Sequence, residues 1–429
     1  MQLTAGHAYK TGRFLGGWFA RAGGRRCRVV IGKDTRRSSY MLEYSLVAGL
    51  TASGADAYIM HVTTTPSVSY ITRTDGFDCG IMISASHNAF ADNGIKLMGP
   101  GGEKLEDGII AALENYLDGV GEQFPAASGE DIGRTFDYVS GRNRYIGHLV
   151  SLSACSFKGY RVGLDCANGS AWQIAKPVFD ALGAKTYVLG CEPDGLNINS
   201  SGSTRPERLC TLIRENGLDC GFAFDGDADR CIAADECGNV IDGDGELYIL
   251  ANRLKAQGEL NDRGIVATVN SNSGLQACLG QRGVPCAFTQ VGDRFVYREM
   301  CQRGAALGGE KSGHIIISKY GASGDGLVTA IKLLEAAAER GVALSSLMQG
   351  YRALPQAELS VPVTDKSAFG EELLHRLAGD AAARYGCTRV NVRPSGTEQV
   401  IRIMAEGESM AACERCIAGL ARQIKGDMQ

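Results

Sequence analysis

The chain has no excess of charge of either sign: 44 lysines and arginines stand against 48 aspartates and glutamates, a net charge of −4 over 429 residues. That balance supplies no basic surface for nucleic acid or for anionic lipid. Long apolar runs are also missing. No stretch approaches the ~20 apolar residues that a bilayer span requires, and Met1–Arg13 lacks the apolar core of a secretory leader, which points to the cytoplasm. Paired cysteine motifs are absent as well. The 15 cysteines are scattered, and the closest pair, Cys413 and Cys416, lies in a helical pattern without a second such pair. They read as reduced, mostly buried small apolar residues, with little support for zinc.

What remains is an ordinary globular composition, 44% hydrophobic and 21% charged, with 57 glycines, about twice the usual share, suited to many tight strand-to-helix turns. A chain of this length holds two to four domains. Strand and helix patterns alternate: strands over 27–31, 57–62, 161–165, 185–189, 220–224 and 265–269, with helices over 40–51, 178–182 and 246–255. Such alternation predicts parallel sheets with functional loops at the carboxyl ends of strands. From 359 onward the order changes to strand, helix, strand pair, helix, which predicts a small α+β domain with its helices on one face of an antiparallel sheet. The fold class expected is three similar mixed or parallel-sheet α/β domains, over 1–142, 143–241 and 242–355, plus a smaller C-terminal α+β domain over 356–429, arranged around a central cleft.

Four stretches carry chemistry. In Ile81-Met-Ile-Ser-Ala-Ser-His-Asn-Ala-Phe-Ala-Asp-Asn-Gly-Ile-Lys96 an apolar strand runs into a small polar loop, where Ser86 beside His87 and Lys96 is suited to carry a phosphoryl group. A strand-end turn in which these side chains merely cap the next segment is the alternative. In Phe224-Asp-Gly-Asp-Ala-Asp-Arg230, Asp225, Asp227 and Asp229 recur every second residue, a set of hard oxygen ligands suited to Mg²⁺. An EF-hand would need glycine where Arg230 stands, and strands rather than helices flank the run. Three carboxylates so close repel one another unless a cation neutralises them. Gly309-Glu-Lys-Ser-Gly-His314 offers Glu310 and Ser312 to sugar hydroxyls, though such a turn is often only structural. Arg393-Pro-Ser-Gly-Thr-Glu398 gathers Arg393, Ser395 and Thr397 with the Gly396 backbone into a donor set for a phosphate dianion.

These four blocks, in this order, resemble the α-D-phosphohexomutases over nearly the whole chain. Gly32–Arg36, Tyr40–Glu43, Asp92–Lys96 and Gly195–Asn199 are most similar to the bacterial phosphoglucosamine mutase branch. The resemblance implies interconversion of glucosamine 6-phosphate and glucosamine 1-phosphate through a phosphoserine enzyme. It implies Ser86 as phosphoryl carrier and one Mg²⁺ per chain on Ser86, Asp225, Asp227 and Asp229. It also implies hexose contacts from Glu310, Ser312 and Gly313 and a phosphate site of Arg393, Ser395, Gly396 and Thr397, with Arg230 facing substrate. His87 belongs to the catalytic set, Lys96 and His314 are candidates for proton transfer or charge neutralisation, and Val291-Gly-Asp-Arg294 is similar to the family's substrate-facing turn. A hexosamine 1,6-bisphosphate would act as activator. The partner is a small sugar phosphate, with neither nucleic acid nor membrane, and a homodimer is allowed.

A glucose or mannose phosphate remains open as substrate, since no identified residue reads the C2 substituent. A metal-dependent phosphatase with Asp225 as nucleophile would leave the Ser86 and Arg393 loops without a role. Two departures from the family stand out. Ala89 replaces a usual proline, and Met1–Thr4 reads like the segment after a strand and a Gly-Thr-x-Gly-x-Arg loop. The expectation drawn from the second is a chain that folds, with one sheet edge unpaired, but is catalytically impaired, at the extreme a sugar-phosphate binder, unless Arg36 or Arg37 supplies the missing charge.

Overall fold

The computed structural model describes residues 3–23, 25–121, 123–395 and 399–426. The chain divides into two units, Met1–Val269 with Val284–Gln349, and Asn270–Gly283 with Gly350–Gln429.

The first unit contains three sheets built to one plan. In the first, the order is Ile95–Met98, Cys79–Ile83, Arg28–Lys33, Asp56–Val62, Thr135–Asp137. All neighbours are parallel except the first pair. In the second it is Val240–Ile241, Cys231–Ala234, Cys220–Phe224, Arg161–Asp165, Lys185–Leu189, and in the third Cys286–Thr289, Ile265–Thr268, Leu307–Gly309, Ile315–Ile317. Each sheet thus has a parallel core, of four strands in the first and three in the other two, next to a strand that turns back antiparallel. The turn into that returning strand is, in the three copies, the Ser86 loop, the acidic loop and the Glu310 loop. The sequence located these loops at strand ends, and the topology adds that they occupy the same point of a repeated fold.

The apolar strands bury on both sides. Val29, Ile31, Ile81 and Ile83 pack with Leu42, Leu46 and Leu50 of the helix Arg37–Ala52, all at most 2% exposed. A helix absent from the expectations, Ala5–Gly23, completes this core with Phe14 and Leu15. It can approach closely because a Cβ on Gly12 would lie 2.4 Å from the Leu46 carbonyl oxygen, and one on Gly49 2.1 Å from that of Tyr9. Most of the cysteines are buried, and none is paired in a disulfide.

One buried ion pair stands in the first sheet. Lys33 Nζ lies 2.5 Å from Glu43 Oε2, both side chains at most 2% exposed, with the ammonium 3.4 Å from the centre of the Tyr40 ring. Removing one partner leaves the other charge buried without compensation. Lys33→Met is therefore expected to destabilise the protein by about 3–5 kcal/mol in urea unfolding, and Lys33→Met with Glu43→Leu to regain most of it. Equal losses in the single and double variants would disprove this.

The second unit is an antiparallel sheet ordered Gln356–Pro362, Val400–Glu406, Arg389–Pro394, with the helices Glu371–Tyr385 and Met410–Gly426 against it and against each other. Ile401, Ile403, Leu374, Cys413, Cys416 and Leu420 form its core. The helix Ser273–Gln281 belongs to the same unit, where Glu406 Oε2 accepts from Ser273 N–H at 3.0 Å and from Arg389 at 3.1 Å.

Candidate active site

The strand Cys79–Ile83 is fully buried and delivers its loop at its carboxyl end. Ser84, also buried, accepts the Ser86 N–H on its hydroxyl at 2.9 Å, and Ala85 C=O accepts from Asn88 N–H at 3.2 Å. Part of the loop's N–H supply is therefore spent on its own turn. Ser86 has φ +50°, a left-handed conformation that costs a non-glycine residue roughly 1–2 kcal/mol. The turn sends its hydroxyl to the acidic loop: Ser86 Oγ donates to Asp225 Oδ2 at 2.7 Å. His87 Nδ1 lies 3.5 Å from the same oxygen. His87 stands at the exposed rim, where desolvation and the Arg230 guanidinium outweigh Asp229 and Asp227 and push it down to about 4. It is neutral at pH 7.

The three aspartates are buried, and one oxygen of each falls within 4.8 Å of the others. Burial, then Asp229 and Asp227, push Asp225 up to about 8. Lys96 relieves part of this repulsion, its ammonium 2.5 Å from Asp227 Oδ2 and 2.7 Å from Asp229 Oδ2. Burial works against that charge, but the two carboxylates more than offset it and hold Lys96 protonated. Asp229, despite burial, is kept well below the usual carboxylate range by Lys96 and His314. Two acceptors are left over: Asp227 Oδ1 and Asp229 Oδ1 are buried with no hydrogen-bond partner. Orphaned carboxylate oxygens in a cluster of three fit a hard divalent cation.

The Glu310 loop is fastened to the acidic loop through main chain. Cys231 N–H donates to Gly313 C=O at 3.0 Å, and a Cβ on Gly313, at φ +85°, would meet the Cys231 carbonyl oxygen at 1.8 Å. Only glycine permits this approach. Glu310 Oε1 accepts from Gly292 N–H at 2.8 Å, which joins the loop to the turn 291–294, and Ser312 is exposed. His314 is 2% exposed. Its Nε2 accepts from Gly324 N–H at 3.0 Å, so the ring proton of the neutral form sits on Nδ1, 3.7 Å from Asp229 Oδ1. The ring's nitrogens thus face the Gly324 backbone and a carboxylate of the acidic loop. Arg230 donates its N–H to Asp225 Oδ1 at 3.2 Å, and Arg294 pairs with Asp107.

In the second unit, Ser395 N–H donates to Val400 C=O at 2.9 Å and Lys366 Nζ donates to Ser395 C=O at 2.8 Å. Arg393 stands opposite Arg402 in the antiparallel register. Gly396, Thr397 and Glu398 lie outside the described residues.

Thr65 and Asn199 were given no role by the sequence reading, and Arg36 was weighed only as a charge that could reach phosphate. Thr65 donates to Asp227 twice, its hydroxyl to the carboxylate and its N–H to the main-chain carbonyl at 2.9 Å; no local pattern singled it out. Arg36 and Asn199 both donate to carbonyls of the Ser86 loop.

Comparison with known proteins gives the chain's relatives. The chain matches the phosphoglucomutase/phosphomannomutase alpha/beta/alpha domain I over residues 1–123, domain II over 143–238, domain III over 242–354 and the C-terminal domain over 358–423. It is 53% identical to a phosphoglucosamine mutase of Lachnoclostridium phytofermentans, over 96% of this chain and 92% of that one. It is 52% identical to one of Lachnospira eligens, over 99% and 95%. A crystal structure of a phosphoglucomutase/phosphomannomutase family protein from Burkholderia thailandensis superposes with a TM-score of 0.80 at 25% identity, covering 99% of this chain and 94% of that one.

Proposed function

The chain belongs to the phosphoglucomutase/phosphomannomutase family, and from that membership we propose that it interconverts glucosamine 6-phosphate and glucosamine 1-phosphate in the cytoplasm. The observation that carries the mutase chemistry is the Ser86 hydroxyl 2.7 Å from Asp225, with Lys96 on the other two aspartates. Glucosamine as the sugar rests on the two relatives named for it.

In this reading Ser86 Oγ carries a phosphoryl group and gives it to the free hydroxyl of the bound sugar phosphate. The resulting 1,6-bisphosphate reorients and returns its other phosphate to Ser86. The same bisphosphate, added from outside, charges the serine. A Mg²⁺ held by Asp225, Asp227 and Asp229, with Ser86 Oγ adjacent, would stabilise charge developing on the transferred group. Lys96 supplies a fixed positive charge beside Asp227 and Asp229. His87 beside Ser86, Lys96 and His314 are the candidates to take the proton of the hydroxyl, and His314 also faces Asp229. Glu310, Ser312 and Gly313 contact the hexose, Arg230 faces the substrate, and Arg393, Ser395, Gly396 and Thr397 hold the non-reacting phosphate. Asp225 is a poor nucleophile here, because one of its oxygens accepts from Arg230 N–H and the other from Ser86.

Steady-state kinetics with glucosamine, glucose and mannose 6-phosphates test the assignment. Glucosamine 6-phosphate is expected to have the highest kcat/KM by at least about tenfold, equivalent to ~1.4 kcal/mol. Equal or better use of glucose or mannose would overturn the sugar while leaving the mutase reaction; no turnover of any would overturn both.

A further inference from the structure

The backbone of the Ser86 loop is held from two sides by the side chains of Arg36 and Asn199. Arg36 is 1% exposed, and its guanidinium is committed in every direction. Nε donates to Asp34 Oδ2 at 2.9 Å, Nη1 donates to Ala89 C=O, and Nη2 donates to Ser86 C=O at 3.1 Å and to Asn88 C=O at 2.8 Å. Asn199 approaches the same two carbonyls from the second sheet's domain. Its Nδ2 lies 2.8 Å from Ser86 O and 2.8 Å from Asn88 O. Each carbonyl thus receives two donors, which fills its lone pairs.

This doubling includes the carbonyl of Ser86, one of six non-glycine residues at positive φ among the described residues. Ser86 sits at φ +50°, and such a conformation persists only where the surroundings over-determine it. Fixing the Ser86 carbonyl fixes the peptide plane that follows, and with it the direction in which the hydroxyl leaves the chain. The segment bearing Asn199 is itself fastened to the Arg36 segment through Arg37 N–H to Gly195 C=O at 3.0 Å, and less directly through Thr35 Oγ1 to Asn168 C=O at 2.6 Å, next to Ala167 whose carbonyl accepts the Asn199 N–H at 2.8 Å. The two donors are therefore registered to each other as well as to the loop. A lysine at 36 could reach one of these carbonyls but not three at once, because only the guanidinium presents a planar fork.

We propose that Arg36 and Asn199 are positioning residues which together clamp the Ser86 and Asn88 carbonyls, so that the Ser86 hydroxyl is aimed at the acidic loop of the neighbouring domain. Arg36 accordingly acts on the loop's main chain and not on the transferred phosphoryl group. The inference rests on the reading of Ser86 as phosphoryl carrier.

The test compares Asn199→Ala and Arg36→Lys with the unaltered protein. A misplacement of ~1 Å at a reacting atom can cost about 10²-fold in rate. Arg36→Lys is expected to lower kcat by about that factor and Asn199→Ala by roughly tenfold, with KM for the sugar phosphate within about twofold in both. The single-turnover transfer rate from phosphorylated Ser86 should fall by the same factors as kcat, while Asn199→Ala, at a φ of +60° that suits asparagine better than alanine, keeps its thermal midpoint within about 4 °C of the unaltered protein. Should Arg36→Lys fail to fold, Asn199→Ala, on a partly exposed segment, carries the test. A kcat within twofold of normal in Asn199→Ala, or losses confined to KM or to the folded fraction, would overturn the proposal. Phosphate incorporation at Ser86 from a hexose 1,6-bisphosphate, followed by mass spectrometry in the unaltered protein, separates the two levels: none at Ser86 would sink the phosphoserine reading and the clamp with it, whereas normal incorporation with unaffected variants sinks only the clamp.

Discussion

Ser86→Ala should abolish mutase turnover, lowering kcat by at least about 10³-fold, the scale on which removal of a nucleophile acts. The reason is local. No other hydroxyl among the described residues is poised as Ser86 is: the Thr65 hydroxyl donates to Asp227, and that of Ser84 accepts the Ser86 N–H. Without the carrier, neither half of the reaction can run, because each begins or ends on that oxygen. Sugar-phosphate affinity should persist, since Arg393, Glu310 and Ser312 are untouched, and calorimetric titration should give a Kd within a few-fold of normal. The methyl side chain also leaves the loop intact, because the clamp acts on the Ser86 carbonyl and not on its side chain. Appreciable activity in the purified variant, with contaminating enzyme excluded, would remove Ser86 from the mechanism.

The sequence was informative where one local pattern had one physical cause. Apolar runs such as 220–224 became buried strands, and the alternating aspartates emerged on the loop between two strands, the feature that had set them apart from an EF-hand. The helix Ala5–Gly23 was illegible because Gly6, Gly12, Gly16 and Gly17 lower its intrinsic propensity by about 1 kcal/mol each relative to alanine. It is specified instead by packing against Arg37–Ala52, which no local pattern announces. Arg36 was hidden differently. An arginine after a strand end reads as a surface ion-pair partner or a phosphate contact, and the carbonyls that claim it come from positions 86, 88 and 89. Asn199 is more remote still, contributed by another sheet. Long-range donors to main-chain carbonyls leave no spacing to read, whereas three carboxylates on one loop do.

The acidic cluster gives the second large effect, through Asp227. Its side chain is fully buried and divided in function: Oδ2 accepts from Lys96 and Thr65, and Oδ1 has no hydrogen-bond partner. Asp227→Asn removes a charge of the kind a hard cation prefers, but the amide also has a direction. Turning its NH₂ toward Lys96 and Thr65 would set donor against donor, so the carbonyl oxygen must stay on that side. The NH₂ then takes the place of the orphaned oxygen and presents hydrogens to the position a cation would occupy. Loss of an outer-shell partner alone typically costs about 10–100-fold in metal affinity, and this change acts directly on the ligand set. Mg²⁺ half-saturation of activity should therefore rise by at least about 10²-fold, and Mn²⁺ binding followed by its paramagnetic signal should weaken in step, a readout that does not depend on turnover. Lys96 would retain Asp229 as partner, so the loop should stay folded and the circular dichroism unchanged. An unaltered Mg²⁺ titration and unaltered Mn²⁺ binding would mean that the cation is held elsewhere.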